Sequence, residues 1–250
     1  MVSRQKILIT GASSGLGAGM AREFATKGRD LALCARRFDN LDELKADLTA
    51  RHPNINVTVA ALDVNDHEQV PKVFAELSDE LGGLDCVIVN AGIGKGYPLG
   101  GGKLWANKAT IETNLVAALV QIETAIEMFK NAGGGHLVLI SSVLGNKGVP
   151  GVKAAYAASK AGVSSLGESL RAEYAKGPIK VTVIEPGYIE SEMTAKAETT
   201  TLMVDNETGT KAMVDAIERE PGRAAVPSWP WAPLVQVLRL LPPQVAAKFA

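Results

Sequence analysis

Tyr156 and Lys160 stand four residues apart in a run of small residues: Ala155, Ala157, Ala158, Ser159, Ala161 and Gly162. On a helix that spacing puts both side chains on one face. A phenol can give a proton to an oxygen that is gaining negative charge. Its free pKa near about 10 makes it a poor base in the reverse direction. A neighbouring ammonium stabilises the phenolate and lowers that pKa, so the pair can move a proton both ways. The same spacing also arises by chance on helix surfaces, and small residues favour plain helix packing, so the rest of the chain must decide.

A second group, Thr10-Gly11-Ala12-Ser13-Ser14-Gly15-Leu16-Gly17, follows a short apolar run and opens an amphipathic stretch. Glycines at such a strand-to-helix turn allow a tight bend and let backbone N–H groups approach a pyrophosphate. The spacing G-x-x-x-G-x-G differs by one residue from the dinucleotide fingerprint G-x-G-x-x-G, and an ordinary turn is the alternative. Ala35, Arg36 and Arg37 stand at the end of the second apolar run. An acid at the place of Ala35 would accept hydrogen bonds from ribose hydroxyls; alanine cannot, and it does not repel a 2′-phosphate. Guanidinium groups pair with phosphate through parallel charge-assisted bonds. The arginines therefore read as a 2′-phosphate site, the alternative being a solvated basic pair. Ser142 ends the fifth apolar run, at the sheet edge where open α/β folds place their ligands. Its hydroxyl could hold a substrate oxygen or simply cap a turn, while Ser141 points elsewhere if the strand continues. His52, His67 and His136 show no metal-ligand spacing, so no metal is expected.

The elements that position these groups follow from the hydrophobic pattern. Short apolar runs at 6–10, 31–35, 57–62, 86–90, 137–141 and 181–185 read as strands covered on both faces, with 223–226 as a seventh. Amphipathic stretches between them read as helices. One covers 16–27 and ends at Gly28; others cover about 109–130, ending at Gly133, and about 154–175. Asn40 and Asn65 each precede a Glu by three residues, a capping-box spacing. The alternation predicts an α/β fold, a doubly wound parallel sheet of the Rossmann type with about seven strands and helices on both faces. No repeat or linker divides residues 1–250, which read as one domain with a substrate loop and helix at 190–220 and an apolar segment at 228–250.

These motifs, in this order, resemble the short-chain dehydrogenase/reductase family over about residues 5–195. The resemblance is carried by Thr10–Gly17, Asn90-Ala91-Gly92 after the fourth strand, Tyr156-x-x-x-Lys160, and Pro186-Gly187 after the sixth strand. It implies a cofactor held by Gly11, Ser13, Ser14, Gly15, Leu16 and Gly17, with Arg36 and Arg37 on the 2′-phosphate of NADP(H). Asp63 and Val64 would contact the adenine, and Asn90, Ala91 and Gly92 would flank the cofactor. Pro186, Gly187 and Ile189 would cover the nicotinamide. Ser191 stands where the family often has a Thr that contacts phosphate. The catalytic set implied is Asn114, Ser142, Tyr156 and Lys160. Ser142 orients the substrate, Tyr156 exchanges the proton, and Lys160 tunes Tyr156 and holds the ribose. Asn114 lies inside a helix where Asn is intrinsically unfavourable; the resemblance assigns it a water-linked relay to Lys160 through a local backbone distortion.

The chain has 250 residues, 46% hydrophobic and 21% charged, with net charge −1, which gives no electrostatic reason to expect a nucleic-acid partner. Cys34 and Cys86 fall in strands and read as buried free thiols rather than a disulfide. There is no signal-peptide pattern and no apolar run of membrane-spanning length, so a cytoplasmic protein is expected. The partner expected is a small carbonyl or alcohol substrate, with a homo-oligomer, dimer or tetramer, implied by the family. Residues 190–205 carry no Arg/Lys cluster, leaving Lys196 and the nearby Lys211 as isolated candidates for an anionic group. Met193, Leu202, Met203 and the Trp229-to-Leu241 stretch offer apolar surface, so the expectation is an apolar, lipid- or steroid-like ketone. The C-terminal stretch reads either as a helix packed on the domain or a subunit, or as an apolar lid or peripheral membrane contact. Two rival readings are a non-catalytic NADP(H)-binding protein and a reductase of small polar carbonyls.

Overall fold

The apolar runs form seven strands: β1 (Lys6–Thr10), β2 (Asp30–Ala35), β3 (Val57–Ala61), β4 (Cys86–Val89), β5 (Gly135–Ile140), β6 (Ile179–Pro186) and β7 (Arg223–Val226). In this computed structural model, which describes residues 4–194 and 202–246, they make one parallel sheet in the order β3-β2-β1-β4-β5-β6-β7. Consecutive apolar residues are needed because both faces are covered. Ile7 and Ile9 pack with Met20, Phe24, Leu41 and Met213 on one face; Leu8, between them, packs with Phe74, Ile122 and Phe129 on the other. Each such fully buried side chain contributes about 1.5–3 kcal/mol.

The helices follow the strands: α1 (Gly15–Thr26), α2 (Phe38–Arg51), α3 (Gln69–Leu81), α4 (Leu104–Ile111), α5 (Ala117–Ala132), α6 (Ala154–Glu173), α7 (Asn206–Glu218), α8 (Ser228–Leu240) and α9 (Pro243–Ala246). Gly82 and Gly133 end α3 and α5 in the left-handed region, at φ 70° and 81°. Two expected caps are not caps. The first turn of α2 already contains Asn40, whose amide instead donates to the Ser13 carbonyl at 3.4 Å. Asn65 stays in the turn after β3, where its backbone N–H and its amide both donate to Asp63 Oδ1 at 3.0 Å. That local side-chain turn competes with the helix start and moves it to Gln69. The helix expected from about residue 109 begins earlier, at Leu104, and is interrupted by one π turn over Glu112–Val116.

Sheet order reverses between β1 and β4, and in such sheets the crevice beyond the strand ends at that point receives ligands. Thr10, Val89, Ile140 and Pro186 all end strands on this edge. At the far end of the chain, α8 buries Trp231, Val235 and Leu238 and turns Trp229, Val237 and Leu240 outward. Its inner face is thus part of the core around Val143 rather than a detached flap. Cys34 and Cys86 are free and buried. Among the described residues no helix is long and apolar enough to cross a membrane.

Candidate active site

The turn between β1 and α1 is built for close backbone approach. Gly11 and Gly15 sit at φ 66° and 54°, which side-chain-bearing residues rarely adopt. A Cβ at Gly17 would stand 2.3 Å from the Gly11 carbonyl oxygen, so the turn closes only around glycine. Two polar side chains hold this geometry. The Thr10 hydroxyl accepts from the N–H groups of Asn90 and Ala91, both at 3.1 Å, and the Asn90 amide donates to the Thr10 carbonyl at 2.8 Å. Asn90 therefore clamps the turn from β4. Among the described residues no side chain caps the first N–H groups of α1, because the Ser14 hydroxyl is directed elsewhere. Free N–H groups at a helix start, beside a backbone no Cβ obstructs, suit a pyrophosphate. Ser191 closes the far side, its Cβ 3.4 Å from where a Gly15 Cβ would be.

The corner beyond β2 separates the two arginines. Ala35 is buried and supplies no acid. Arg36 is exposed and makes no side-chain hydrogen bond or ion pair among the described residues. Arg37 is already engaged: Nη1 and Nη2 donate to the two Glu192 oxygens at 3.1 and 3.0 Å, and Nη2 also reaches the Ser14 hydroxyl. Across the crevice, Asp63 faces Asn65 as described, and Val64 is buried.

Tyr156, Lys160 and Ser142 meet beyond the ends of β4 and β5. Lys160 and Tyr156 share one face of α6, with Lys160 Nζ 5.9 Å from the phenol ring centre. Nζ is buried and donates to the Ile140 carbonyl at 2.8 Å; loss of water pulls its pKa down to about 8. Burial pushes the Tyr156 phenol above its ordinary value, and the Ser142 hydroxyl opposes that shift. Ser142 also accepts the Leu144 N–H at 3.2 Å, so it caps the turn after β5 and still has its own proton to direct at Tyr156. Ser141 points away, donating to the Lys160 carbonyl at 2.8 Å. Asn114 lies in the π turn, fully buried. Its Oδ1 accepts from Ile93 N–H at 2.8 Å and its amide donates to the Ile93 carbonyl at 2.9 Å. Gly92 separates it from Lys160: a Cβ there would be 3.2 Å from Asn114 Oδ1 and 3.6 Å from Lys160 Nζ.

The segment after β6 forms the other wall. Gly187 must lack a side chain because Trp231 fills the space: an added Cβ would be 2.0 Å from its indole nitrogen. Tyr188 stacks edge-on to Trp231, with ring centres 5.5 Å apart, and Lys153 lies 5.6 Å from the Tyr188 ring centre. Leu144 and Leu202 complete this apolar cluster. Ile189 is buried, and its carbonyl accepts from the Thr194 hydroxyl at 3.0 Å. Met193 rests over Gly94. Lys211 sits on α7 at 4.0 Å from Asp215, and Lys196 lies outside the described residues.

Sequence reasoning missed Thr10 as the hub of the turn, Ile140 and Ile93 as backbone partners, and Glu192 on Arg37. Helix-turn residues around Asn114 carry no pattern announcing a backbone partner, and Glu192 is 155 positions from Arg37.

Comparison with known proteins agrees with this geometry. The model of the short chain dehydrogenase family matches residues 5–202. An uncharacterized oxidoreductase of Mycobacterium tuberculosis is 78% identical over 249 residues, covering 100% of this chain and 98% of that protein. An uncharacterized oxidoreductase of Myxococcus xanthus is 36% identical over 200 residues, 78% of this chain and 76% of that protein. Among solved structures, the NADPH-dependent 3-quinuclidinone reductase from Rhodotorula rubra superposes with a TM-score of 0.76 at 27% identity, covering 88% of each chain. With its seven-stranded parallel sheet and its ordered motifs, this chain belongs to the short-chain dehydrogenase family, oxidoreductases that bind a nicotinamide cofactor and act on small molecules.

Proposed function

We propose that the chain is an NADP(H)-dependent oxidoreductase that interconverts a carbonyl and a secondary alcohol on an apolar substrate. The observation that carries this reading is the meeting of Tyr156, Ser142 and a buried Lys160 beside the switch-point crevice. A protein that only held a dinucleotide would have no need for an ammonium kept out of water. The Gly11–Gly17 turn, Asp63, Val64, the Asn90–Gly92 segment, Pro186, Gly187, Ile189 and Ser191 are the residues that would hold the cofactor. The 2′-phosphate falls to Arg36, whose side chain has no partner among the described residues. The similar Rhodotorula reductase, named NADPH-dependent, supports the same choice.

When bound, the nicotinamide supplies or accepts the hydride at the substrate carbon. The chain's own task is the oxygen. The Ser142 hydroxyl orients it, and Tyr156 donates its O–H proton as negative charge develops there, a contribution of about 10²–10⁴ in rate. The phenolate left behind is stabilised by the Lys160 ammonium, which keeps the proton exchange reversible. Asn114 fixes the backbone of Ile93 next to Lys160 and so holds that corner for proton resupply.

Tyr188, Leu144 and Leu202, backed by the buried Trp231, give the substrate side an apolar wall. A ketone series of increasing chain length, assayed with NADPH, tests the reading. Each methylene that reaches this wall contributes about 0.8 kcal/mol, so kcat/KM is expected to rise about three- to fourfold per carbon until the wall is filled. A flat series would contradict the apolar substrate, and no turnover of any ketone or alcohol would contradict the enzyme.

A further inference from the structure

Arg37 reaches a carboxylate that arrives from the other side of the site. Four of its five N–H groups are directed at protein acceptors. Nη1 and Nη2 grip both oxygens of Glu192, Nη2 also donates to the Ser14 hydroxyl, and Nε lies 3.4 Å from the Ser13 hydroxyl. The Ser14 hydroxyl in turn donates to Glu192 Oε2 at 3.1 Å. Ser13 and Ser14 belong to the glycine turn, Arg37 to the corner beyond β2, and Glu192 to the segment that follows Ser191. The carboxylate that the end of β2 lacks, with Ala35 in its place, is thus delivered to that corner from β6.

We infer that Glu192 is a determinant of cofactor choice: its carboxylate occupies the anion position on Arg37 that a 2′-phosphate would take, and it must yield that position for Arg37 to grip NADP(H). The inference rests on the NADP(H) reading above. A guanidinium fork fits a carboxylate and a phosphate equally well, so the two anions compete for one set of donors. The hydrogen bonds from Arg37 hold the Glu192 carboxyl below its ordinary range, which keeps it an anion at neutral pH. The Arg37 and Glu192 side chains are 48% and 64% exposed, and exposed pairs of this kind are weak enough to exchange. Arg36, with no such partner among the described residues, receives the phosphate first; Glu192 sets how much Arg37 adds. Toward NADH the same carboxylate is no hindrance, since it can accept from a ribose hydroxyl.

Equilibrium binding of NADPH and NADH, followed by cofactor fluorescence in Glu192→Gln, Arg37→Ala and the double variant, tests the inference. Glu192→Gln is expected to tighten NADPH about two- to fivefold and to leave NADH unchanged or weaker. The gain should shrink at high salt and vanish in the Arg37→Ala background. Discrimination by the wild-type protein that Glu192→Gln leaves unaltered, or an equal shift for both cofactors, would overturn this inference alone. Failure of both the wild-type protein and Glu192→Gln to distinguish NADPH from NADH would overturn the NADP(H) reading and this one with it.

Discussion

Replacing Lys160 by methionine removes a charge that the fold holds against its solvation preference. Nζ is 5% exposed as part of its residue, has one backbone acceptor, Ile140, and titrates at about 8 instead of 10.5. A depression of that size corresponds to about 3 kcal/mol at pH 7. The lost hydrogen bond to the Ile140 carbonyl offsets about 1.5–3 kcal/mol of it, because its donor is charged. A net gain in stability of up to about 1.5 kcal/mol is therefore expected for Lys160→Met at pH 7, together with loss of turnover. The pH dependence has a fixed sign. Between about 8 and 10.5 the unfolded chain binds more protons than the folded one, so the wild-type protein gains stability as pH rises through that window. Urea unfolding of both proteins at pH 7, 8, 9 and 10 measures this. The difference between them should move in favour of the wild-type protein by about 2.5 kcal/mol from pH 7 to pH 10. A difference that stays constant over that range would refute the claim that burial holds the Lys160 ammonium at a low pKa.

A second buried group, His136, titrates on the acid side of neutrality. Its Nε2 meets the Thr182 hydroxyl at 2.8 Å; that hydroxyl gives its own proton to the Pro221 carbonyl, so Nε2 carries the imidazole proton and Nδ1, unprotonated, faces the Cys86 thiol at 3.9 Å. Burial lowers its pKa to about 4, although Glu220 lies 3.8 Å away and is itself paired with Arg4. Stability should then fall as pH drops from 6.5 toward 4, and His136→Gln should remove about 2 kcal/mol of the loss between pH 7 and pH 5, read from paired urea unfolding curves. An unchanged loss would mean that His136 is charged in the fold. Arg36→Ala should weaken NADPH binding by about 1.5–3 kcal/mol and leave NADH almost unaffected, measured as dissociation constants; equal weakening of both would remove Arg36 from the phosphate.

Much of the architecture was legible because both-face burial forces continuous apolar strands. All seven strands fall within two residues of the runs that announced them, and Gly28 and Gly133, read as helix ends, have the left-handed backbone of that position. The pairing of Tyr156 with Lys160 was legible because helical spacing is local. Helix starts were less so: at Asn65 a side chain satisfied a nearby backbone group and displaced the cap, a competition that composition does not reveal. The distortion at Asn114 came only through family resemblance, since no local residue pattern separates a π turn from a continuous helix. Glu192 on Arg37 and Trp231 against Gly187 were not legible at all, because each joins segments brought together only by the sheet order.

The proposed reaction rests on the Tyr156 hydroxyl as its proton donor and acceptor. Tyr156→Phe keeps the ring beside Lys160 and removes only the oxygen that Ser142 faces. Single-turnover rates with NADPH and a ketone turned over by the wild-type protein, beside the NADPH dissociation constant of each protein, test it directly. A rate lower by at least about 10²-fold is expected, with cofactor affinity retained. A variant that reduces the ketone at a near wild-type rate would contradict it.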